Sequence, residues 1–324
     1  MSETTGWSIP AQLQPQPGSV SFDLEAAFRS IVQLHAAVPE DAFTASVLGT
    51  ERMGNGVVIR ADGLVLTIGY LITEAETIWL TTHEGTAVAA HPLAYDQATG
   101  FGLVLPLGRL SLPVVPLGSS AAAATGSDVI VLSHGGLKHA LQTKLVAKRE
   151  FAGYWEYLLE EALFTSPAHP HWSGAALLGM DGKLLGIGSL FVQEPVDAES
   201  EQANMFVPVD LIAPVLDEFA NSGRPARPPR PWLGMYATEL QGHLFVGGLT
   251  DGGPAARAGV RVRDMILEVA DKRVATLAEL YRSVWSLGPV GTEIPLTLVR
   301  RGTHVSVKVR SADRNDFLRK PLRH

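Results

Sequence analysis

Short apolar runs separated by turn residues dominate the middle of the chain. Between about Phe43 and Leu190 the segments GVVIR, LVLTIGYLI, TIWLTT, FGLVLPL, DVIVLS and KLLGIGSL follow one another, with breaks such as Ala61-Asp62-Gly63. Repeated short strands with turn signals between them predict an all-β sandwich or barrel. Two stretches read differently. DLEAAFRSIVQLHAAV, from Asp23 to Val38, puts Leu24, Phe28, Ile31 and Leu34 on one helical face behind Asp23 as N-cap, which predicts a helix. A second helix is predicted over Val209–Ala220, with Leu211, Val215, Leu216 and Phe219 turned inward. Residues 1–20 are polar and carry Pro10, Pro15 and Pro17, so a flexible or extended arm is expected there.

Residues 223–231, GRPARPPRP, interrupt every pattern. Prolines at this density stay extended and stiff, which suits a spacer between domains. Beyond it, WLGMYAT, LFVGGLT, MILEVADKRV and IPLTLVRRGTHVSVKVRS predict a small β domain. Its one amphipathic helix, near Leu277–Leu287, carries Leu277, Leu280, Tyr281 and Val284 on the apolar face. The expected organisation is an arm and helix (1–42), a β-rich domain (43–222), a linker (223–231), a small second domain (232–313) and a tail (314–324).

Composition removes several classes of function. The net charge of −7 disfavours nucleic acid as a partner, because phosphate binding needs a basic face. With no cysteine, thiolate catalysis, disulfides and cysteine zinc sites are excluded. No apolar run reaches the roughly 20 residues that span a bilayer, and the N-terminal sequence lacks the basic–apolar–small pattern of a secretory signal. A cytoplasmic protein is expected.

Three segments together resemble proteases of the HtrA family. GNGVVIRADGLVLTIGYLI (54–72) is similar to the hairpin whose second strand ends in the catalytic histidine, and Tyr70 stands at that place. DQATGFGLVLPL (96–107) is similar to the stretch around the triad aspartate, with Gly100 at its position. PHWSGAALLGMDGKLLGIGSL (170–190) is similar to the nucleophile loop and its following strands, with Ser173 at the nucleophile and Gly174 after it. His171 and Trp172 replace a Gly and an Asn, and His171 falls on the residue whose N–H helps form the oxyanion hole. Ala175 and Ala176 replace a Gly and a Pro. The resemblance runs from about residue 43 to the end and implies a trypsin-like double β-barrel followed by an α+β PDZ domain.

That resemblance implies a framework without its chemistry. A serine needs a neighbouring base, and the base needs a third group to orient it. A phenol with a pKa near ~10 stays protonated at neutral pH, and a glycine offers no carboxylate. The expectation is an inactive pseudoprotease. The alternative is a serine endopeptidase with a rearranged site, using Ser173 with a displaced histidine: His134, His139, His83 or His91. A zinc site from His169, His171 and His134 is a further variant, but no acidic residue in that loop completes it, and no metal or other cofactor is expected.

In the second domain Trp232-Leu233-Gly234-Met235 resembles the carboxylate-binding loop of PDZ domains, which holds a peptide's C-terminus on backbone N–H groups. The strand through Tyr236 would pair with the peptide, and Leu280 and Val284 would line the opposite wall. The resemblance therefore implies a scaffold that binds protein or peptide C-termini and assembles as a homotrimer or with active relatives. A purely structural oligomer with an empty or blocked groove is the third reading.

Overall fold

The computed structural model describes residues 7–196 and 199–319, which divide by their contacts into two units. One contains the chain up to Arg149, then Glu161–Ala226 and Arg319. The other contains Glu150–Glu160 and Arg227–Leu318.

The first unit is built from two closed six-stranded barrels. In the first, β1 (Ile31–Ala37), β2 (Glu51–Val58), β3 (Val65–Ile68), β4 (Thr77–Thr81), β5 (Ala87–Tyr95) and β6 (Phe101–Pro106) close in the order β1-β2-β3-β6-β5-β4. In the second, β7 (Asp128–Leu132), β8 (Ala140–Gly153), β9 (Tyr157–Ser166), β10 (Ala176–Gly179), β11 (Leu184–Val196) and β12 (Glu199–Pro208) close as β10-β11-β12-β9-β8-β7. The tip of the β8–β9 hairpin, Glu150–Glu160, groups with the second unit.

The N-terminal stretch departs from its pattern. Asp23 does cap a helix, accepting from Ala26 N at 3.0 Å, but α1 spans only Leu24–Arg29. The chain then becomes β1, whose burial alternates along Val32, Gln33, Leu34, His35 and Ala36. The apolar spacing at Leu24, Phe28, Ile31 and Leu34 is helical, while Val32, Leu34 and Ala36 repeat at the strand period of two. The β-branched pair Ile31-Val32 and ladders to β2 and β4 on both sides decide for the strand. No separate arm-and-helix region precedes residue 43, since β1 is a wall of the first barrel. Nor are residues 7–20 a free arm: Ile9 is buried and donates its N–H to the Lys138 carbonyl at 2.8 Å. Residues 1–6 of that expected arm, like 320–324 of the expected tail, lie outside the described residues.

One helical turn, α2 (Ala45–Leu48), leads into β2. The helix expected over Val209–Ala220 is two 3-10 turns followed by α3 (Leu216–Ser222), because Pro214 can sit only at a helix start.

The second unit is a sheet in the order β13 (Met235–Leu240), β14 (His243–Leu249), β15 (Met265–Val269), β17 (Glu293–Arg300), β18 (Thr303–Arg310). The short β16 (Lys272–Arg273) pairs with β15. A helical turn, α4 (Pro254–Arg257), and the helix α5 (Leu277–Ser286) complete it. α5 begins with a full capping box between Thr276 and Glu279, and its buried face joins Leu244, Ile266, Leu296 and Leu298 in one core.

Asn55, on β2, ties the two barrels together. Its backbone N–H donates to the Ser173 carbonyl at 2.8 Å. Its side-chain amide donates to the same carbonyl at 3.0 Å and to that of His171 at 3.1 Å, while Oδ1 accepts from His134 N at 2.8 Å. Asn55 is buried, so its removal strands a donor and an acceptor without water. Asn55→Ala is expected to destabilise the protein by about 2–3 kcal/mol, read as a lower urea midpoint at unchanged m-value.

Candidate functional site

Ser173 sits in the turn before β10, and the backbone there is tightly specified. Gly174 has φ +72°, and a Cβ on it would stand 2.0 Å from the Asn55 carbonyl oxygen. Tyr70 belongs to the single helical turn after β3. Arg52 pins that turn: its guanidinium donates to the carbonyls of Tyr70 (2.7 Å), Thr73 (2.9 Å) and Gly49 (3.1 Å) and to Thr44 Oγ1 (2.8 Å). The structure brings Tyr70 and Ser173 together, Oη to Oγ, at 2.8 Å, and the phenol is also 3.0 Å from the Ser189 carbonyl. The phenol O–H is directed at both the Ser173 hydroxyl and the Ser189 carbonyl, the two acceptors within reach of its one proton. Burial pushes the Tyr70 phenol up to about 12.

Gly100 lies beside this pair as backbone alone. Its carbonyl accepts the Gly69 N–H at 2.6 Å and its own N–H reaches the Asp96 carbonyl at 2.7 Å. The Asp96 carboxylate closes the same turn on Ala98 N (3.1 Å) and Thr99 Oγ1 (2.5 Å). Gly100 has φ +83°, and a Cβ on Gly69 would meet the Tyr95 ring at 2.3 Å. The chain closes here by backbone contact, with an aromatic ring against it.

The His171 N–H is already used. It donates to Nδ1 of His169 at 3.0 Å, and His169 Nε2 donates to the His139 carbonyl at 3.0 Å. Burial pushes His169 down to about 4, with His171 and His139 adding to the effect, so its ring is neutral near pH 7 and Nδ1 is free to accept. The His134 ring turns to the Thr82 carbonyl, 3.2 Å from Nε2. The Trp7 ring lies 4.8 Å from the His171 ring and 5.0 Å from that of His139. No histidine nitrogen is hydrogen-bonded to Ser173 Oγ among the described residues. Nor do these residues contain a group of three or more His, Cys, Asp or Glu able to hold a metal ion.

In the second unit the loop Trp232-Leu233-Gly234-Met235 is a working carboxylate cradle, and it is filled. The N–H groups of Leu233, Gly234 and Met235 donate to the Glu156 carboxylate, with shortest contacts of 2.9, 2.7 and 3.1 Å. Trp232 anchors the loop through paired backbone bonds with Ala312, and Gly234 turns it at φ +72°. Beyond Tyr236, the Ala237 N–H donates to the Tyr154 carbonyl at 3.3 Å. Burial pushes the Glu156 carboxyl up to about 7, against the pull of the three N–H groups and Arg314. Leu280 and Val284 do not line an open groove. Both are buried in the unit's core, packed in one cluster with Leu158.

The sequence comparisons agree with this architecture. Residues 54–187 match the trypsin-like peptidase domain and residues 245–300 the PDZ domain. The chain is 25% identical over 275 residues to a probable periplasmic serine endoprotease, DegP-like, of Halomonas elongata, covering 81% of this chain and 56% of the relative. It is 23% identical to the serine endoprotease DegS of Salmonella typhimurium, covering 90% and 85%. These matches support an HtrA-family protein. In fold it is similar to the HtrA-type protease AlgW with decapeptide, at a TM-score of 0.53 and 19% identity, covering 92% of this chain and 98% of that one.

The chain spans a little over half the length of the first two relatives it matches, at 56% and 55%. Both are named as periplasmic, which lends the cytoplasmic expectation no support. No helix among the described residues is long and apolar enough to cross a membrane.

Sequence reasoning missed Asn55, Arg52, the bonding role of His169, and Glu156. Asn55 stood in plain view in the Gly54-Asn55-Gly56 string, where two glycines allow close approach of another backbone. Arg52 and Glu156 carried no local signal. The depressed His169 has a measurable consequence. As pH falls from about 6.5 to about 4, the unfolded chain takes up this proton before the folded one, so stability declines over that interval. The loss is expected to reach about 2–3 kcal/mol. His169→Asn keeps an acceptor for the His171 N–H without a titrating ring, and urea titrations across this range are expected to show a flatter decline.

Proposed function

We propose that this chain is a non-proteolytic member of the HtrA family that works by binding polypeptides, its second unit recognising C-termini. The observation that carries this reading is the contact between Tyr70 Oη and Ser173 Oγ. Tyr70 stands for the triad base, Gly100 for the aspartate and His171 for an oxyanion-hole donor. With a phenol raised to about 12 as its neighbour, the serine has no base to take its proton at neutral pH. Loss of the base in a serine protease costs about 10⁶-fold in turnover, the measured case being subtilisin. The His171 N–H, directed at His169, is withdrawn from any developing oxyanion.

The binding half of the proposal is supported by the cradle. Three successive N–H groups already converge on a carboxylate, the geometry that capture of a peptide C-terminus requires. Assembly as a trimer, with itself or with active relatives, belongs to the same reading, and light scattering of the purified protein tests it.

A fluorophosphonate probe is expected to leave Ser173 unlabelled, and unfolded casein to survive incubation with the full chain. Labelling or cleavage that Ser173→Ala abolishes would defeat the proposal. The double substitution Tyr70→His with Gly100→Asp is expected to remain inactive in both assays. Gly100 adopts φ +83°, which strains an aspartate by about 1–2 kcal/mol, and the His171 N–H stays committed elsewhere.

A further inference from the structure

The hairpin tip Glu150–Glu160 occupies the second unit as a peptide ligand would. Its Glu156 carboxylate fills the cradle of Leu233, Gly234 and Met235. Its Tyr154 carbonyl takes the Ala237 N–H of β13, the strand that an added peptide would pair with. From the opposite wall, the Tyr281 hydroxyl on α5 donates to the Gly153 carbonyl at 2.7 Å, and the Glu156 N–H donates back to that hydroxyl at 3.2 Å. Leu158 belongs to the same buried core as Leu280 and Val284, as a ligand's apolar end residue would. At the rim, Arg282 of α5 pairs with Glu150 and Glu160.

The breadth of these contacts marks a docked ligand rather than an ordinary turn. They span strand, loop and helix together, as those of a peptide bound between the two walls would. We propose that the Glu150–Glu160 hairpin is a built-in occupant of the cradle, and that a polypeptide C-terminus with an apolar last residue binds this unit only by displacing it. The proposal rests on the reading that the unit recognises C-termini. The incoming α-carboxylate takes the three N–H groups from Glu156, and the incoming side chain takes the place of Leu158.

The test uses the full chain and a fluorescein-labelled decapeptide library with leucine fixed at the last position, made with a free or an amidated C-terminus. Hydrogen exchange over residues 150–160 is followed in parallel. Glu156→Ala and the size-matched Glu156→Gln both remove the competing charge, and Gln keeps the hairpin's packing if Ala disturbs the fold. Both are expected to raise affinity for the free-carboxylate library by about tenfold or more, the scale of a lost charge-assisted bond. Exchange at 153–158 is expected to rise in the variants, and also in the unaltered chain when the free peptide is added. Equal affinity of the unaltered chain and both variants would overturn the displacement proposal and leave C-terminus recognition standing. Faster exchange in the variants with no binding of either library would instead overturn C-terminus recognition, and the proposal with it.

Discussion

The first unit depends on the bonds that Asn55 makes across its two barrels. Each barrel is a closed sheet, so its backbone groups are satisfied internally and neither offers edges to join the other. Something else must fix their register, and a buried carboxamide does so by serving two carbonyls and one N–H of the opposite loops. Because those carbonyls belong to His171 and Ser173, the same bonds that orient the barrels also fix the serine turn. Gly174 follows from this. The close approach of the Asn55 carbonyl leaves no room for a Cβ.

Around that fixed turn the polar groups satisfy one another. Ser173 meets Tyr70, Tyr70 meets Ser189, the His171 N–H meets His169, and His169 meets the His139 carbonyl. A catalytic site needs donors left over, aimed at charge that has yet to form. Here the His171 N–H and the Tyr70 hydroxyl are spent in the resting state, and burial holds both titratable members in their neutral forms. A closed chain of this kind gains stability from the groups a protease keeps free. That trade supports reading the barrels as framework and directs attention to the second unit for recognition.

The alternation of short apolar runs with turns was enough to read the β architecture, because that signal repeats many times. The family resemblance singled out Tyr70, Gly100 and Ser173, and the structure brings the first and last of these into contact. The stretch from Asp23 to Val38 could not be resolved, since Leu24, Phe28, Ile31 and Leu34 follow the helix period while Val32, Leu34 and Ala36 follow the strand period. Only neighbours supplied by β2 and β4 choose between them. Trp7 and Ile9, set among prolines, look like a solvated arm until the loop carrying Lys138 and His139 is present to receive them. Leu280 and Val284 lie on the buried face of their helix, in a core that also takes in Leu158, which is remote in sequence.

Glu156 shows most plainly what a linear reading cannot reach. In sequence it is one acid in an aromatic-rich turn, Tyr154-Trp155-Glu156-Tyr157, and a charged residue there reads as solvated. Its partners are the N–H groups of residues 233–235, and a backbone N–H carries no sequence signature at all. Yet the cradle that receives it could be read from Trp232-Leu233-Gly234-Met235, and such a cradle buried without an acceptor is costly. Three convergent N–H groups must therefore be met by water, by a partner or by the chain itself. The Glu156 carboxylate is the chain's own answer, and because hydrogen bonds alone seat it in the cradle, a free C-terminus offering the same oxygens can take its place.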